Sequence, residues 1–381
     1  DPRVVRMTEN VLERALGHRR PPKALPPVQG SPPPSGPLTP KWYGQVSAVA
    51  GRAGVAGWAD GPGSQALFRG PTGLALTAEG TIAVADTGNH RIRLIGADPA
   101  RTVVTVAGNG EPGLRNGPGG QAMFRSPTGV AVGPDGVLYV ADSDNHSIRR
   151  IARDGPAWTV TTYAGSLRQA GHVDGPAGLA RFNRPTALTF DVSGNLYVAD
   201  QAGQRIRKVV AGGGEVSTLA GAGGPGFTDA VAGASARFNN PSALAVSGDA
   251  LYVFDAGNAR LRRVELTAPY AVTTVAGGSP GFADGSGLQA RFRAQMGLGS
   301  WSDGSLVVAD SANFRLREVR PGADAASTQV WTAAGTGRVG RALGSSEAAD
   351  LVAPAGLATA ADGLGLALSD AHNHVVRWVA R

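Results

Sequence analysis

Six copies of a repeat of about 57 residues, each reading as short β-strands joined by Gly-rich turns, predict an all-β chain closed into a ring, a six-bladed β-propeller. The first observation is a short strand ending in Ala-Gly or a close variant at Gly51, Gly108, Gly165, Gly221, Gly277 and Gly335, at spacings of 57, 57, 56, 56 and 58. The second is a fixed order of elements inside each copy. The third is a hydrophobic content of 42% beside 56 Gly and 26 Pro, which supplies a core and many turns. A length of 381 residues would ordinarily mean two or three domains, but a radially repeated sheet fold of this size forms one.

Within a copy, a Gly-rich stretch follows the Ala-Gly and usually carries an aromatic anchor: Phe68, Phe124, Phe182, Phe238 or Phe292. A strand then opens near Pro71, Pro127, Pro185, Pro241, Met296 or Pro354. A tight turn such as Pro134-Asp135-Gly136 or Ser302-Asp303-Gly304 leads into a β-rich strand such as 137–142. A strand like 205–210 follows. Each copy is therefore expected to be a four-stranded antiparallel sheet.

The segments VADTGNHRIR at 84–93 and VADSDNHSIR at 140–149 resemble the NHL repeat family, and the resemblance extends over residues 45–381. It implies NHL-type blades in which the strand near the Pro is innermost and the strand ending in Ala-Gly is outermost. It does not imply one function, because the family includes protein binders, RNA binders and a lyase. In this phase residues 45–50 are an outer strand without inner partners, whereas about 355–380 hold three strands without a fourth. The N-terminal strand is therefore expected to close the ring and remove an exposed sheet edge.

One constellation recurs in all six copies: an Asp ending the second strand and an Arg seven residues later. The pairs are Asp86 and Arg93, Asp142 and Arg149, Asp200 and Arg207, Asp255 and Arg262, Asp310 and Arg317, and Asp370 and Arg377. A group needed in every blade reads as structural, so charge-assisted bonds within each blade are expected. The intervening turn usually carries Asn (Asn89, Asn145, Asn258, Asn313, Asn373), read as bonding its own backbone in a left-handed conformation.

Antiparallel connectivity puts the long inter-blade loops and the Asn turns on one face, the expected binding face. Its candidate residues are Arg69, Arg125, Arg181, Arg184, Arg237, Arg291, Arg293 and Trp58. One reading makes these arginines a cationic mouth for an anionic peptide, sugar or phosphate. The other pairs them with Asp60, Asp174, Asp229 and Asp284 and with nearby carbonyls, holding the loops in place. Trp58, Tyr163 and Trp301 are either contact area or aromatics buried between blades.

Composition removes several classes. With no Cys there are no disulfides, thiolate metal sites or cysteine nucleophiles. No apolar run is long enough for a transmembrane helix. The net charge of +7 divides into +3 for residues 1–40 and +4 for the rest, too small a surplus to point to nucleic acid. Thirty-three arginines against three lysines suit bidentate pairing, though a GC-rich genome yields the same bias.

The family's lyase uses histidine-bound zinc near the channel, but His90, His146 and His374 occupy equivalent turns one blade apart and too far from the axis to share a metal. His172 and His372 are isolated. Lactonase-like propellers use acidic and Asn groups at inner strand ends, which here read Arg69-Gly-Pro, Ser126-Pro, Arg184-Pro, Asn240-Pro and Ala353-Pro. No nucleophile-elbow pattern occurs. No metal and no cofactor is expected.

Ahead of the propeller at 41–381, residues 1–20 are expected to hold a short amphipathic helix, with Val4, Val11, Leu12, Ala15 and Leu16 at helical spacing. Residues 21–40 read as a stiff Pro-rich linker. Such an arm either lies on its own propeller or joins the chain to a larger assembly. The chain starts at Asp1 rather than Met, which fits either a leader removed by processing or one left out of the sequence; this leaves the location unknown, with a slight lean to an extracytoplasmic or organellar one. The expected function is a non-catalytic scaffold or adaptor that presents the loop face to a protein or peptide. The alternatives are a lyase- or lactonase-type enzyme and an RNA-binding propeller.

Overall fold

The computed structural model describes residues 42–381 other than Leu167 and Ala294, so the expected helical arm and Pro-rich linker lie outside the described residues. Six antiparallel sheets form the ring. From the axis outward, blade 1 comprises Leu74–Leu76, Ile82–Asp86, Arg91–Ile95 and Val103–Ala107, and blade 2 comprises Pro127–Val132, Leu138–Asp142, Ser147–Asp154 and Ala157–Ala164. Blade 3 is Pro185–Phe190, Leu196–Asp200, Arg205–Val209 and Glu215–Ala220, and blade 4 is Pro241–Ser247, Ala250–Asp255, Arg260–Glu265 and Val272–Gly277. Blade 5 is Gln295–Ser300, Leu306–Asp310, Arg315–Arg320 and Gln329–Ala334. Blade 6 takes Pro354–Thr359, Gly365–Asp370 and Val375–Ala380 from the C-terminal end and Gln45–Ala50 from the N-terminal one.

The second strands read as unbroken apolar runs because both of their faces are covered by neighbouring blades. Every residue of Ile82–Asp86, Leu138–Asp142 and Leu196–Asp200 is buried. The core is thus a set of seams between blades. One seam joins Ala85, Leu94 and Val106 of blade 1 to Phe124, Val130 and Val140 of blade 2. At the axis the inner strands approach too closely for ordinary side chains: a Cβ on Gly73 would lie 2.3 Å from the carbonyl oxygen of Thr128 in the next blade.

Closure follows the repeat phase. Val46 pairs with Val379, Ser47 with Trp378 and Ala48 with Arg377. Two details differ from the sequence reading. In blades 2, 3, 5 and 6 a two-residue strand from the preceding loop, such as Gly117–Pro118, adds a fifth member outside the outer strand. The inner strand of blade 1 is shortened to Leu74–Leu76 rather than opening near Pro71.

A clasp reinforces the closure where both ends of the propeller meet blade 5. The Tyr43 amide donates to the Ala333 carbonyl at 2.9 Å, and the Trp301 indole N–H donates to the Tyr43 hydroxyl at 3.1 Å. Arg381 reaches Asp303 at 2.9 Å and the buried Glu318 at 3.2 Å while lying 4.5 Å over the Trp301 ring. Burial, aided by the Glu318 carboxylate, pushes the Tyr43 hydroxyl pKa well above its ordinary value, so it stays a neutral acceptor for Trp301. Tyr43→Phe should orphan that buried N–H and lower stability by about 1–3 kcal/mol in denaturant titration.

Candidate binding face

The six Asp and Arg pairs are the centres of larger buried sets. Arg93 donates to Asp86 at 2.8 Å, to Asp60 at 2.6 Å and to the carbonyls of Ala59 (2.7 Å) and Leu67 (3.1 Å), over the face of Phe68. Corresponding sets surround Arg149, Arg207, Arg262 and Arg317, with Asn116, Asp174, Asp229 and Asp284 in the place of Asp60. Each guanidinium is fully buried. The aromatic anchors Phe68, Phe124, Phe182, Phe238 and Phe292 are fully buried beneath these groups, not on the surface beside the loop arginines. In blade 6, Arg377 holds Asp370 at 2.7 Å, but Leu343, just ahead of the left-handed Gly344, stands where other blades supply a side-chain acceptor.

The loop aspartates therefore belong to the blade arginines and not to the loop arginines. The second sequence reading is corrected on this point: the buried guanidinium is already in place and reaches them first.

The Asn reading is corrected as well. Asn89 donates across the turn to Asp86 at 2.8 Å and to the Gly57 carbonyl at 2.7 Å, tying loop to blade, and Asn145, Asn258, Asn313 and Asn373 do the same. The left-handed residue is the next one. His90, His146, Gln204, Ala259, Phe314 and His374 have φ between 50° and 59°.

Three of those residues explain the histidines. The Nδ1 atoms of His90, His146 and His374 each accept a backbone N–H from the following blade, at Ser126, Arg184 and Gly70, at 3.1 Å, and Gln204 does so for Asn240 through Oε1 at 2.6 Å. Burial, their largest influence, holds all three imidazoles below their ordinary pKa. As pH falls below about 6.5 the unfolded chain binds protons first, so these groups withdraw stability in acid. The buried carboxyls act oppositely, since burial pushes Asp142 up to about 6 and Asp200 up to about 7. A His90→Gln, His146→Gln, His374→Gln protein keeps an acceptor without the titration. Its melting temperature relative to the parent should rise by a few degrees between pH 7.5 and pH 5, and parallel curves would count against the bonds.

Asp200 stands above Asp142 for a structural reason. Its turn has Gly203 in place of Asn, and Arg207 contacts it at 3.3 Å instead of the 2.7–2.9 Å of the other blades. Asp86→Asn should cost about 1.5–3 kcal/mol in chemical unfolding, and Asp200→Asn clearly less.

The candidate arginines Arg69, Arg125, Arg181, Arg184, Arg237, Arg291 and Arg293 are all exposed on the loop face. Arg69, Arg125 and Arg293 lend only backbone groups to the fold: their N–H groups donate to Asp86, Asp142 and Asp310 at 2.8, 2.7 and 2.9 Å, and their carbonyls accept from the Asn turns at Gly88, Asp144 and Ala312. Arg181, Arg237 and Arg291 lend only backbone groups, their carbonyls accepting from Arg207, Arg262 and Arg317. Among the described residues only Arg184 of the seven has a paired guanidinium, 3.2 Å from Asp144.

Trp58 is half exposed and stacks under Arg91 at 4.1 Å. Sequence reasoning missed that this is a series, continued by Arg260 over Phe227 at 3.8 Å and Arg315 over Phe282 at 4.1 Å. The signal was present, since each aromatic precedes its arginine by 33 residues. Of the other two aromatics, Trp301 is buried in the clasp and Tyr163 packs edge-on against Tyr139 at 4.8 Å.

At the centre of this face opens a cavity of about 820 Å³. Leu74, Val130, Leu188, Leu244, Leu298 and Leu357, one from each inner strand, line it. Its mouth is framed by Phe314, Val339, Val352, Arg184, Gln201 and His372, with no carboxylate among the described lining residues. Phe314 occupies the turn position held by His in blades 1, 2 and 6, and that break in the pattern was the sequence signal for an apolar mouth. Among the described residues no three His, Asp or Glu side chains form a group able to hold a metal, and no helix is long and apolar enough to cross a membrane.

Residues 68–93 and 124–151 match the NHL repeat family. A similar protein is NHL repeat-containing protein 2 of Gallus gallus, 30% identical over 353 residues that cover 83% of this chain and 47% of the relative, so the chain spans about half of that protein. Among solved structures, an auxiliary nutrient binding protein from Bacteroides ovatus superposes with a TM-score of 0.66 at 16% identity, over 89% of this chain and 77% of that one. A gluconolactonase from Xanthomonas campestris gives 0.54 at 13% identity, over 91% and 99%. At such identities the structural likeness shows the fold alone. The propeller repeats, their Asp and Arg sets and the family match converge: this chain carries NHL repeats, assembled as a six-bladed β-propeller.

Proposed function

We propose that the protein is a non-catalytic binding scaffold whose loop-lined face holds a protein or peptide partner. The observation that carries this reading is the apolar cavity of about 820 Å³ at the centre of that face, among loops that carry exposed arginines, of which only Arg184 is paired through its guanidinium among the described residues. A concave apolar site with a polar rim is what a bound chain segment needs for an anchor and for orientation. The blades, held by buried ion sets and backbone bonds, supply a rigid frame.

Photo-cross-linking from the two ends of the ring tests the proposal. A benzophenone side chain replaces Val339, exposed at the mouth, or Val192, exposed on a hairpin at the opposite end. In extract of the source organism, discrete protein adducts are expected from position 339 and not from 192. Equal labelling from both, or none from 339, would contradict the reading.

A further inference from the structure

The net charge of the propeller conceals a strong separation. Strand direction assigns every charged loop residue to one end of the ring. Outside the buried pairs, the inter-blade loops and Asn turns, with the residue opening each third strand, hold sixteen Arg against eight Asp and Glu among the described residues. The hairpins at the other end, which join inner to second strands and third to outer strands, hold eight carboxylates and one arginine, Arg101. Four of the eight acids on the loop face, Asp60, Asp174, Asp229 and Asp284, are also drawn inward by buried arginines. The surface offered to a partner is thus more cationic than the count suggests.

We infer that the partner segment is an acidic peptide with an apolar anchor: its carboxylates meet the loop arginines, and its anchor enters the cavity beside Phe314, Val339 and Val352. This rests on the binding reading above and adds the chemistry of the ligand. A cationic rim around an apolar hollow matches such a segment in both charge and shape. Two observations favour it over single-stranded RNA. RNA of that kind binds by stacking bases on open aromatic faces, whereas Trp58, Phe227 and Phe282 each already carry a guanidinium within 4.1 Å. Arg91 and Arg315 are further held by carbonyls of the turns beside them.

The test is fluorescence anisotropy with the full chain and three labelled probes: a peptide of glutamates around one central tryptophan, the same peptide with serine for glutamate, and a uridine oligomer of equal length. The acidic peptide should bind, the serine peptide should bind at least tenfold more weakly, and added salt should weaken the acidic complex steeply. Arg69→Glu, Arg125→Glu, Arg293→Glu should lose at least tenfold in affinity. Glu79→Lys with Glu215→Lys, both exposed at the opposite end, should change nothing.

No binding of the acidic peptide, insensitivity to the loop reversals, or tighter binding of the uridine oligomer would overturn the inference. Cross-linking from position 339 keeps the two proposals apart. Adducts that persist at high salt and in the loop-reversed protein defeat the acidic partner and leave the binding scaffold standing, whereas absence of adducts defeats the scaffold itself.

Discussion

Arg149→Met is expected to destabilise the ring by about 3–5 kcal/mol, the usual cost of removing one partner from a buried ion pair. The substituted side chain is similar in length but offers no donor. Asp142, fully buried, would keep only the N–H groups of Arg125 and Asn145, and the carbonyls of Met123 and Arg115 and the Asn116 amide oxygen would each lose the arginine as one of their donors. At roughly 2 °C per kcal/mol for a domain of this size, the melting temperature should fall by about 6–10 °C. Asp142→Leu combined with Arg149→Met should recover part of that loss, because the orphaned charge is then gone. Arg377→Met should cost less, since Arg377 has Asp370 and one carbonyl at 3.4 Å where the others have more acceptors.

The second large effect concerns closure. Deleting residues 41–51 removes the outer strand of blade 6 and, with it, the buried side chains of Tyr43, Val46, Val49 and Ala50. Burial of the three larger side chains alone is worth about 1.5–3 kcal/mol each. The deletion also bares the strand Val375–Ala380 as a free edge, open to pairing with other chains. The expected outcome is a melting transition lowered by well over 10 °C, with aggregation on heating. A melting curve unchanged from the parent would show that the ring does not depend on this strand.

Much of this was legible in the sequence because a propeller writes its structure at a fixed period. The phase of the repeats located the closing strand, and the seven-residue offset identified Asp86 and Arg93 with their five counterparts. What escaped notice lay at longer offsets, though equally regular ones. The second acceptor stands 33 residues before the arginine in five copies, as in Asp60 and Arg93, but one of these is Asn116, and in blade 6 the equivalent is Leu343, 34 residues before Arg377. In loops of otherwise variable composition that column is hard to see. The histidine bonds cross from one blade to the next, so no pattern inside a single repeat reveals them.

The charge on the loop face was hidden for a different reason. A total of +4 averages two ends of opposite sign, and only strand direction separates Arg69 and Arg125 from Glu79 and Asp135. The apolar mouth likewise depends on Phe314 standing where a histidine is usual, a departure whose meaning appears only beside Val339 and Val352 of the next loop.

The central claim is a division of labour: buried arginines hold the blades, and exposed loop arginines are left for a partner. The melting temperature of the Arg69→Gln, Arg125→Gln, Arg293→Gln protein tests it most directly. Only backbone groups at these positions enter the fold, so the account predicts a transition within about 2 °C of the parent, as for surface substitutions elsewhere. A fall comparable to that of Arg149→Met would contradict it.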